Sequence, residues 1–498
     1  MFSFAFYDHK NDSVILARDK LGIKPLYFSL NEYGHIAFSS EMSNLSEFFN
    51  LKKLDEQEIN NALLYNGQSM QSNIVKNLLQ LKPGHYVEFS SSLKIKNKKY
   101  YTTTKQPISM NKKFETLMLE VLEDHLEADT AVDMFLSGGV DSSIIAFLTK
   151  NKLNKDIRHF SVSFDDQTYD EKNSFHTISQ FLNLEPHIFK LKEDDLSDLV
   201  NESLNNMHSL VLDPSFVPTY FLCKNTANYT KAVISGDGAD ELFGGYNRYK
   251  FLPYIWDKFS LFPKPVRQLL AITVKNLRPM LSSSPLQHSH SNLNNKLNKL
   301  AFALYKSDNE RDFFEKIQMT YNFNENPFLD TNEYRPSKDI DADLNTLDAM
   351  MLGDLKRYLP GDILCKVDRA SMFHSLETRA PYLDRDLVEY AINIPNKYKV
   401  NDQGQKILLT NLLSKYLDRD LFQRPKSGFA IPLSSWLKGP LKSWVLDLLS
   451  PETVSRQGFF NVETIQKLSN QYFRNNSINT STIWNLVIFQ SWLNRNNF

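Results

Sequence analysis

Phe135-Leu136-Ser137-Gly138-Gly139-Val140-Asp141-Ser142-Ser143 is the stretch from which the fold of this 498-residue chain is read. The apolar run Ala131 to Leu136 predicts a short buried strand. Ser143 to Lys150, with Ile144, Ile145, Phe147 and Leu148, predicts the helix that follows it. The loop between them holds glycines, small hydroxyl residues and one carboxylate. Glycines let backbone N–H groups approach an anion closely, and a helix N-terminus adds positive dipole. Ser142 can cap the helix or donate to a phosphate oxygen, and Asp141 can hold a divalent cation against the same phosphates. The loop reads as a cradle for pyrophosphate.

It is not a Walker cradle, because no Gly-Lys-Ser or Gly-Lys-Thr occurs in the chain. A loop of the form Ser-Gly-Gly-x-Asp-Ser resembles the PP-loop of ATP pyrophosphatases, which split ATP into AMP and pyrophosphate. The bland alternative is an ordinary glycine-rich strand-turn-helix connection.

The length allows two or three domains, each with its own core. Hydrophobic residues at 42% and charged residues at 23% are ordinary for a globular protein. A net charge of −1 suggests neither a nucleic-acid nor a membrane partner. Cys223 and Cys365 form no disulfide framework and no metal spacing, and the start has no signal-peptide pattern, so a cytoplasmic location is expected.

Residues 1 to 105 read as strand-rich. Phe2, Phe4 and Phe6 alternate with Ser3, Ala5 and Tyr7, which predicts a strand buried on both faces. Val14 to Ala17, Pro25 to Leu30, His35 to Ser39 and Tyr86 to Phe89 are further strands, and Leu45 to Leu64 is predicted helical. Residues 106 to 112 read as a linker. A helix ending near Ala128 precedes the central loop; then Ile157 to Phe164, Glu171 to Asn183, His187 to Leu191 and Leu196 to Met207 alternate strand and helix. That alternation argues for a parallel sheet, with ligands beyond the carboxyl ends of its strands.

A second stretch, Ala232-Val233-Ile234-Ser235-Gly236-Asp237-Gly238-Ala239-Asp240-Glu241-Leu242-Phe243-Gly244-Gly245-Tyr246, repeats the logic of the first. Its acids either compensate a helix N-terminus or serve chemistry, with Asp240 joining Asp141 on Mg²⁺ and Asp237 facing a reacting carboxyl group. Residues 250 to 345 read as mainly helical, and Ser282 to Asn295, with His288 and His290, as a solvated loop. The charges from Leu359 to Asp384 form either a buried ion-pair network or a polar substrate wall. Arg424-Pro425-Lys426-Ser427-Gly428-Phe429 holds a lysine in a stiff turn, or is a plain surface loop.

Ser-Gly-Gly-Val-Asp-Ser, Ser-Gly-Asp-Gly-Ala-Asp-Glu-Leu-Phe-Gly-Gly-Tyr, Glu-Thr-Arg-Ala-Pro-Tyr-Leu-Asp and Arg-Pro-Lys-Ser-Gly-Phe, in that order, resemble glutamine-dependent asparagine synthetase. Met1 to Asp8 with Ala17 to Tyr27 is similar to the later half of that family's glutaminase domain. The resemblance implies an α/β protein of two parts. Residues 1–105 would be the remnant of an Ntn-type glutaminase domain with antiparallel sheets. Residues 112–498 would be a PP-loop ATP pyrophosphatase domain, a parallel sheet flanked by helices, with helical C-terminal additions. It implies a carbon–nitrogen ligase: aspartate's carboxylate attacks the α-phosphorus of ATP, pyrophosphate leaves, and ammonia displaces AMP. By similarity Ser137, Gly138, Gly139, Asp141 and Ser142 hold phosphates, and Leu136, Val162, Ser235 and Gly236 flank the nucleotide. Asp141 and Asp240 ligate Mg²⁺, Asp237 occupies the acidic position tied to adenylate formation, Lys426 steadies the pentavalent phosphorus, and Lys406 adds a phosphate contact.

The family's glutaminase uses an N-terminal cysteine. Here position 2 is Phe2 and the first cysteine is Cys223. The expectation is a chain that does not hydrolyse glutamine: a truncated or mis-started product, one completed by a companion chain, or a user of free ammonia. A sugar-acid or other carboxylate amidotransferase and a non-catalytic remnant are the competing readings. The oligomeric state, a homodimer included, stays open.

Overall fold

The computed structural model describes residues 1–31, 33–67, 73–90, 95–105, 113–164, 172–276, 287–320, 327–328, 344–422, 431–475, 478–496 and 498. The predicted linker at 106–112 and the turn carrying Lys426 lie outside them.

The N-terminal part runs β1 (Ser3–Asp8), β2 (Ser13–Arg18), β3 (Tyr27–Leu30), β4 (Ile36–Ser39), α1 (Met42–Phe48), α2 (Glu56–Tyr65), β5 (Leu78–Gln80), β6 (His85–Ser90) and β7 (Ile95–Lys99). It builds two antiparallel sheets, ordered β1-β2-β6-β7 and β4-β3-β5. Leu16, Leu26, Phe28, Leu81, Val87 and Phe89 fill the space between them. Two expectations fail here. The single helix Leu45 to Leu64 is two helices: Asn50 takes a left-handed turn, and Asp55 accepts from Gln57 and Glu58 N–H to cap α2 afresh. Nor is β1 buried on both faces. It is an edge strand hydrogen-bonded to β2 alone, and Phe4 and Phe6 are 47% and 55% exposed. Alternation of apolar residues reports a strand, but covering it requires neighbours, and no described element lies over β1.

The second part opens with α3 (Phe114–Leu126), β8 (Val132–Phe135), α4 (Val140–Asn151), β9 (His159–Phe164), α5 (Lys172–Phe181), β10 (His187–Leu191), α6 (Leu196–Asn205), α7 (Phe216–Thr226), β11 (Ala232–Ile234) and α8 (Ala239–Phe243). With β12 (Glu377–Arg379) these strands form a parallel sheet in the order β10-β9-β8-β11-β12. From β8 the chain winds outward to β9 and β10, then returns to β8's other side as β11, which makes the β8/β11 boundary the topological switch point. The sheet has a core on each face. Ala232 and Ile234 of β11 join the α3 and α4 side with Met134, Ile144 and Leu117, while Val233 joins the α7 side with Val162 and Val217.

The rest is largely helical. Gln287–Lys306 is a helix, so His288 and His290 stand in helical backbone and not in the solvated loop expected there. The polar composition of 282–295 conceals the helical repeat that becomes legible only from Leu297 onward. Helices Thr346–Gly353 and Leu364–Phe373 are joined by a wide π-helical segment, Asp354–Ile363. The final helix, Thr480–Asn496, is buried along most of its length and packs into one core with α2 and α7; its Asn485 donates to Leu63 O at 3.0 Å. No described helix is long and apolar enough to cross a membrane.

The two parts are also joined by charge. Arg18, fully buried, donates to the carbonyls of Lys24, Leu81 and Gly22, and Asp19 accepts from the N–H groups of Ile23 and Lys24. The loop so fixed presents Lys24 to Asp368 at 3.0 Å and Tyr27 Oη to Arg369 at 3.1 Å, with Glu41 3.4 Å from the same guanidinium. Arg369 also meets Asp368 at 3.1 Å.

The opposite edge of β1's sheet, β7, reads Ile95-Lys96-Asn97-Lys98-Lys99, a lysine-guarded edge, whereas β1 is an apolar one. A Phe4→Lys/Phe6→Lys double variant should therefore self-associate less in sedimentation velocity. Its unfolding free energy should change by no more than about 0.5 kcal/mol per site, as exposed substitutions do.

Candidate active site

The first glycine turn begins where β8 ends. The helix after it starts at Val140, earlier than the pattern predicted, so Asp141 and Ser142 stand in the first turn of α4. Gly138 has φ +76°, a conformation that favours glycine. Ser142 does not cap the helix. Its hydroxyl points back into the loop, donating to Gly139 O at 3.3 Å and lying 3.1 Å from Ser137 Oγ. Gly139, the N-cap residue, supplies no side chain, so the first-turn N–H groups of α4 keep the arrangement in which helix N-termini receive anions.

The second turn leaves β11 beside the first. Ser235 N–H donates to Arg379 O of β12 at 2.8 Å, and a Cβ on Gly236 would stand 3.3 Å from Asp141 Cβ. The two turns are thus in contact. Gly238 (φ +89°) passes under Leu383, where a side chain would overlap that residue. The segment Glu377-Thr378-Arg379-Ala380-Pro381-Tyr382-Leu383-Asp384 is therefore scaffolding for both turns: Tyr382 Oη donates to Asp141 O at 3.1 Å.

α8 spans only five residues and ends at Gly244 (φ +76°). Against Gly244 and Gly245 packs the hairpin Val400–Asn401/Gly404–Gln405, which delivers Lys406. Lys406 is buried, with a left-handed backbone at φ +51°. Its ammonium lies 2.5 Å from Asp141 Oδ2 and 2.6 Å from Asp240 Oδ1. Burial alone would lower its pKa, but the two carboxylates outweigh that and hold it above the usual lysine value. Asp240 therefore has a lysine for its partner, which the charge-compensation reading of the turn did not foresee.

Behind this pair lies a buried charged wall. Burial pushes the Asp237 carboxyl above the ordinary carboxylate range, with Lys366 and Ser235 pulling the other way. Lys366 bridges to Asp213 at 2.8 Å and Ser215 Oγ at 2.9 Å. Glu241, driven up to about 7 by burial and by Asp240, accepts from Tyr246 Oη at 2.6 Å. Asp354 receives Tyr249 Oη at 2.5 Å and Arg248 at 2.8 Å, and Arg248 lies 4.1 Å from the Tyr246 ring centre. In the region left open between ion-pair network and substrate wall, the described contacts are those of an ion-pair network. On helix Leu364–Phe373, Asp368 and Arg369 join the network to the N-terminal part, while Lys366 faces the site. Sequence reasoning missed Arg248, Asp354 and Asp213, whose local sequence carries no motif; all three lie outside the charged stretch Leu359 to Asp384.

Of the predicted nucleotide residues, Leu136 is buried at the base of the first turn, its N–H donating to Phe160 O at 2.9 Å. Val162 packs in the core on the other face of the sheet. Asp141, Asp240, Asp237 and Lys406 come together; Lys426 lies outside the described residues. Among the described residues no group of three or more His, Cys, Asp and Glu could hold a metal. Two hard carboxylate oxygens beside an anion-receiving turn fit an ion that brings most of its own coordination, as Mg²⁺ does with phosphates and water.

The Asparagine synthase family model matches residues 113–494, and the Glutamine amidotransferase domain model matches residues 1–101. The chain is 26% identical to Asparagine synthetase [glutamine-hydrolyzing] 1 of Bacillus subtilis, over 99% of this chain and 77% of that protein. It is 27% identical to a Putative asparagine synthetase [glutamine-hydrolyzing] of Mycobacterium tuberculosis, over 99% and 76%. It is 23% identical to Amidase chyE of Penicillium rubens, over 95% and 75%.

The glycine pair ending α8 gives a direct test. A methyl at 245 would overlap both Asp240 and Lys406, and at 244 it would stand 2.5 Å from Val400 on a positive-φ backbone. Gly244→Ala should cost about 1–3 kcal/mol in denaturant unfolding. Gly245→Ala should lose nucleotide binding by calorimetry while its far-ultraviolet dichroism stays unchanged.

Proposed function

The chain belongs to the asparagine synthase family, and from that premise we infer that it joins ammonia to the side-chain carboxylate of aspartate at the expense of ATP. The observation that carries this reading is the contact between the two glycine turns at the switch point, with Asp141 and Asp240 on one lysine. Ser137, Gly138, Gly139 and Ser142 would receive the pyrophosphate portion of ATP, and Asp141 with Asp240 would hold Mg²⁺, which neutralises charge as pyrophosphate departs. The acceptor carboxylate attacks the α-phosphorus, giving an acyl-adenylate and pyrophosphate. Ammonia then attacks the acyl carbon, giving the amide and AMP. Asp237 would face the reacting carboxyl group, where its raised pKa lessens repulsion between two acids. Lys426 would stabilise the crowded phosphorus.

The nitrogen donor we assign to this chain is ammonia. In the region matched to the amidotransferase model there is no cysteine. Cys223 is buried in the second part with its thiol pushed up by burial, and Cys365 is likewise raised, to about 11. Neither is an activated nucleophile. Glutamine use would need a thiol that residues 1–101 do not supply. The relatives named amidases favour a test of other acceptors as well, sugar acids among them.

ATP–pyrophosphate exchange should depend on aspartate, and Asp141→Asn or Asp240→Asn should lower it about 100-fold or more, as loss of a charge-stabilising group does. Ammonium should give asparagine with AMP, and glutamine should give none. Exchange driven by another carboxylate but not by aspartate would replace the acceptor; no exchange with any would refute the ligase reading.

A further inference from the structure

Lys406 stands where a cation is wanted. Its ammonium is 2.5 Å from Asp141 Oδ2 and 2.6 Å from Asp240 Oδ1, the two oxygens that would take Mg²⁺ at about 2.0–2.1 Å. An ammonium and a metal ion cannot share that gap. The pair is also enclosed: Lys406 is buried, and the lack of a side chain on Gly245 is what leaves room for Cε beside Asp240. The backbone of Lys406 is fixed at φ +51° at the start of helix Ile407–Leu413 and by the hairpin before it. Its four-carbon stem can turn about that anchor while the main chain stays put. Beside the gap lie Ser137, Gly138, Gly139 and the first turn of α4, the place for a polyphosphate.

We propose that Lys406 is a built-in placeholder for the divalent cation: the acid pair excludes free metal until a polyphosphate arrives with it and takes over the ammonium. The lysine then changes partners, from two carboxylates to phosphate oxygens, as the metal takes its place. Neither end is left without a counter-charge, since the acids exchange a monovalent ammonium for a divalent ion and the incoming phosphates gain a lysine. This ordering prevents a resident metal from closing the site and keeps two half-buried carboxylates from facing each other without a cation between them. It deepens the nucleotide reading given above and rests on it, but its central feature, exclusion of metal by the lysine, can be measured with no nucleotide present.

The probe is Mn²⁺ on the full chain, followed by electron paramagnetic resonance and by the shift in thermal midpoint. Wild type with Mn²⁺ alone should leave the free-ion spectrum and the midpoint unchanged. With a non-hydrolysable ATP analogue added, it should take up the ion. Lys406→Met and Lys406→Gln should bind Mn²⁺ without nucleotide, about tenfold or more tighter than wild type, the scale on which neighbouring groups tune metal sites. In both variants Mn²⁺ should raise the midpoint. Lys406→Arg should behave as wild type, and adding Asp240→Asn to Lys406→Met should remove the gained binding. Wild type binding Mn²⁺ alone as tightly as Lys406→Met overturns the proposal, and so does failure of both folded neutral variants to gain binding. Absence of nucleotide binding in wild type, with the gain by Lys406→Met intact, would sink the ligase reading and leave the exclusion standing.

Discussion

The register of β11 against β8, with Ala232 opposite Val132 and Ile234 opposite Met134, is the constraint on which the site depends. Parallel strands end together on the same side, so turns leaving strand ends in register emerge side by side. Nearly a hundred residues separate these turns in the chain, and seven described elements, α4, β9, α5, β10, α6, α7 and β11, lie between them. A shift of one residue would turn Val233 out of its core and draw Asp141 away from Gly236. The buried apolar faces of β8 and β11 therefore do more than stabilise the sheet: they fix the distance between the acids.

The second constraint is that every buried charge has to be met. Ions taken out of water persist only with partners of good geometry. Here the partners come from distant segments: Lys406 for Asp141 and Asp240, Lys366 for Asp213, Arg248 for Asp354, and Lys24 for Asp368, which its neighbour Arg369 also meets. These pairs tie the N-terminal sheets, the π-helical segment and the hairpin to the parallel sheet. The loop organised by Arg18 and Asp19 belongs to this system, since it is stiffened by its own backbone contacts and offers Lys24 across the boundary. One apolar core running from Ile59 and Leu63 to Trp484 crosses the same boundary, so the N-terminal sheets and the terminal helix are folded as one unit with the ligase-type sheet.

What the sequence showed and what it hid follow from range. The glycine turns, the alternating strands and helices and the acids at 237 and 240 are local patterns, each read from a dozen residues, and the structure has them where they were expected. The start of α4 was misread because Val140 and Asp141 look like loop, though their backbone is helical. β1 was misread because alternation tells that a strand forms, not what covers it. Lys406 was assigned to phosphate; its pairing with two acids is created by the hairpin at 400–405, the glycines at 244–245 and the start of α4 at Asp141, three segments that no local reading joins. Arg248 and Asp354 were missed for the same reason.

The acids of the wall carry a cost that the fold tolerates. Burial raises Asp237, Glu241 and Asp362 above their ordinary range, so each holds its proton more firmly folded than unfolded. The sign follows: what they contribute to stability is full below the ordinary carboxylate pKa and is lost as pH rises toward the folded values, about 7 for Glu241. At neutral pH these carboxyls therefore oppose folding, and Lys366 and the Tyr246 hydroxyl offset only part of the opposition. A region built for stability alone would have apolar side chains here. Several acids beside the glycine turns are what the proposed site needs if it is to receive cations with its substrates: on that reading the unfavourable field becomes attraction for a metal ion, and the lysine at 406 balances it until the substrates arrive.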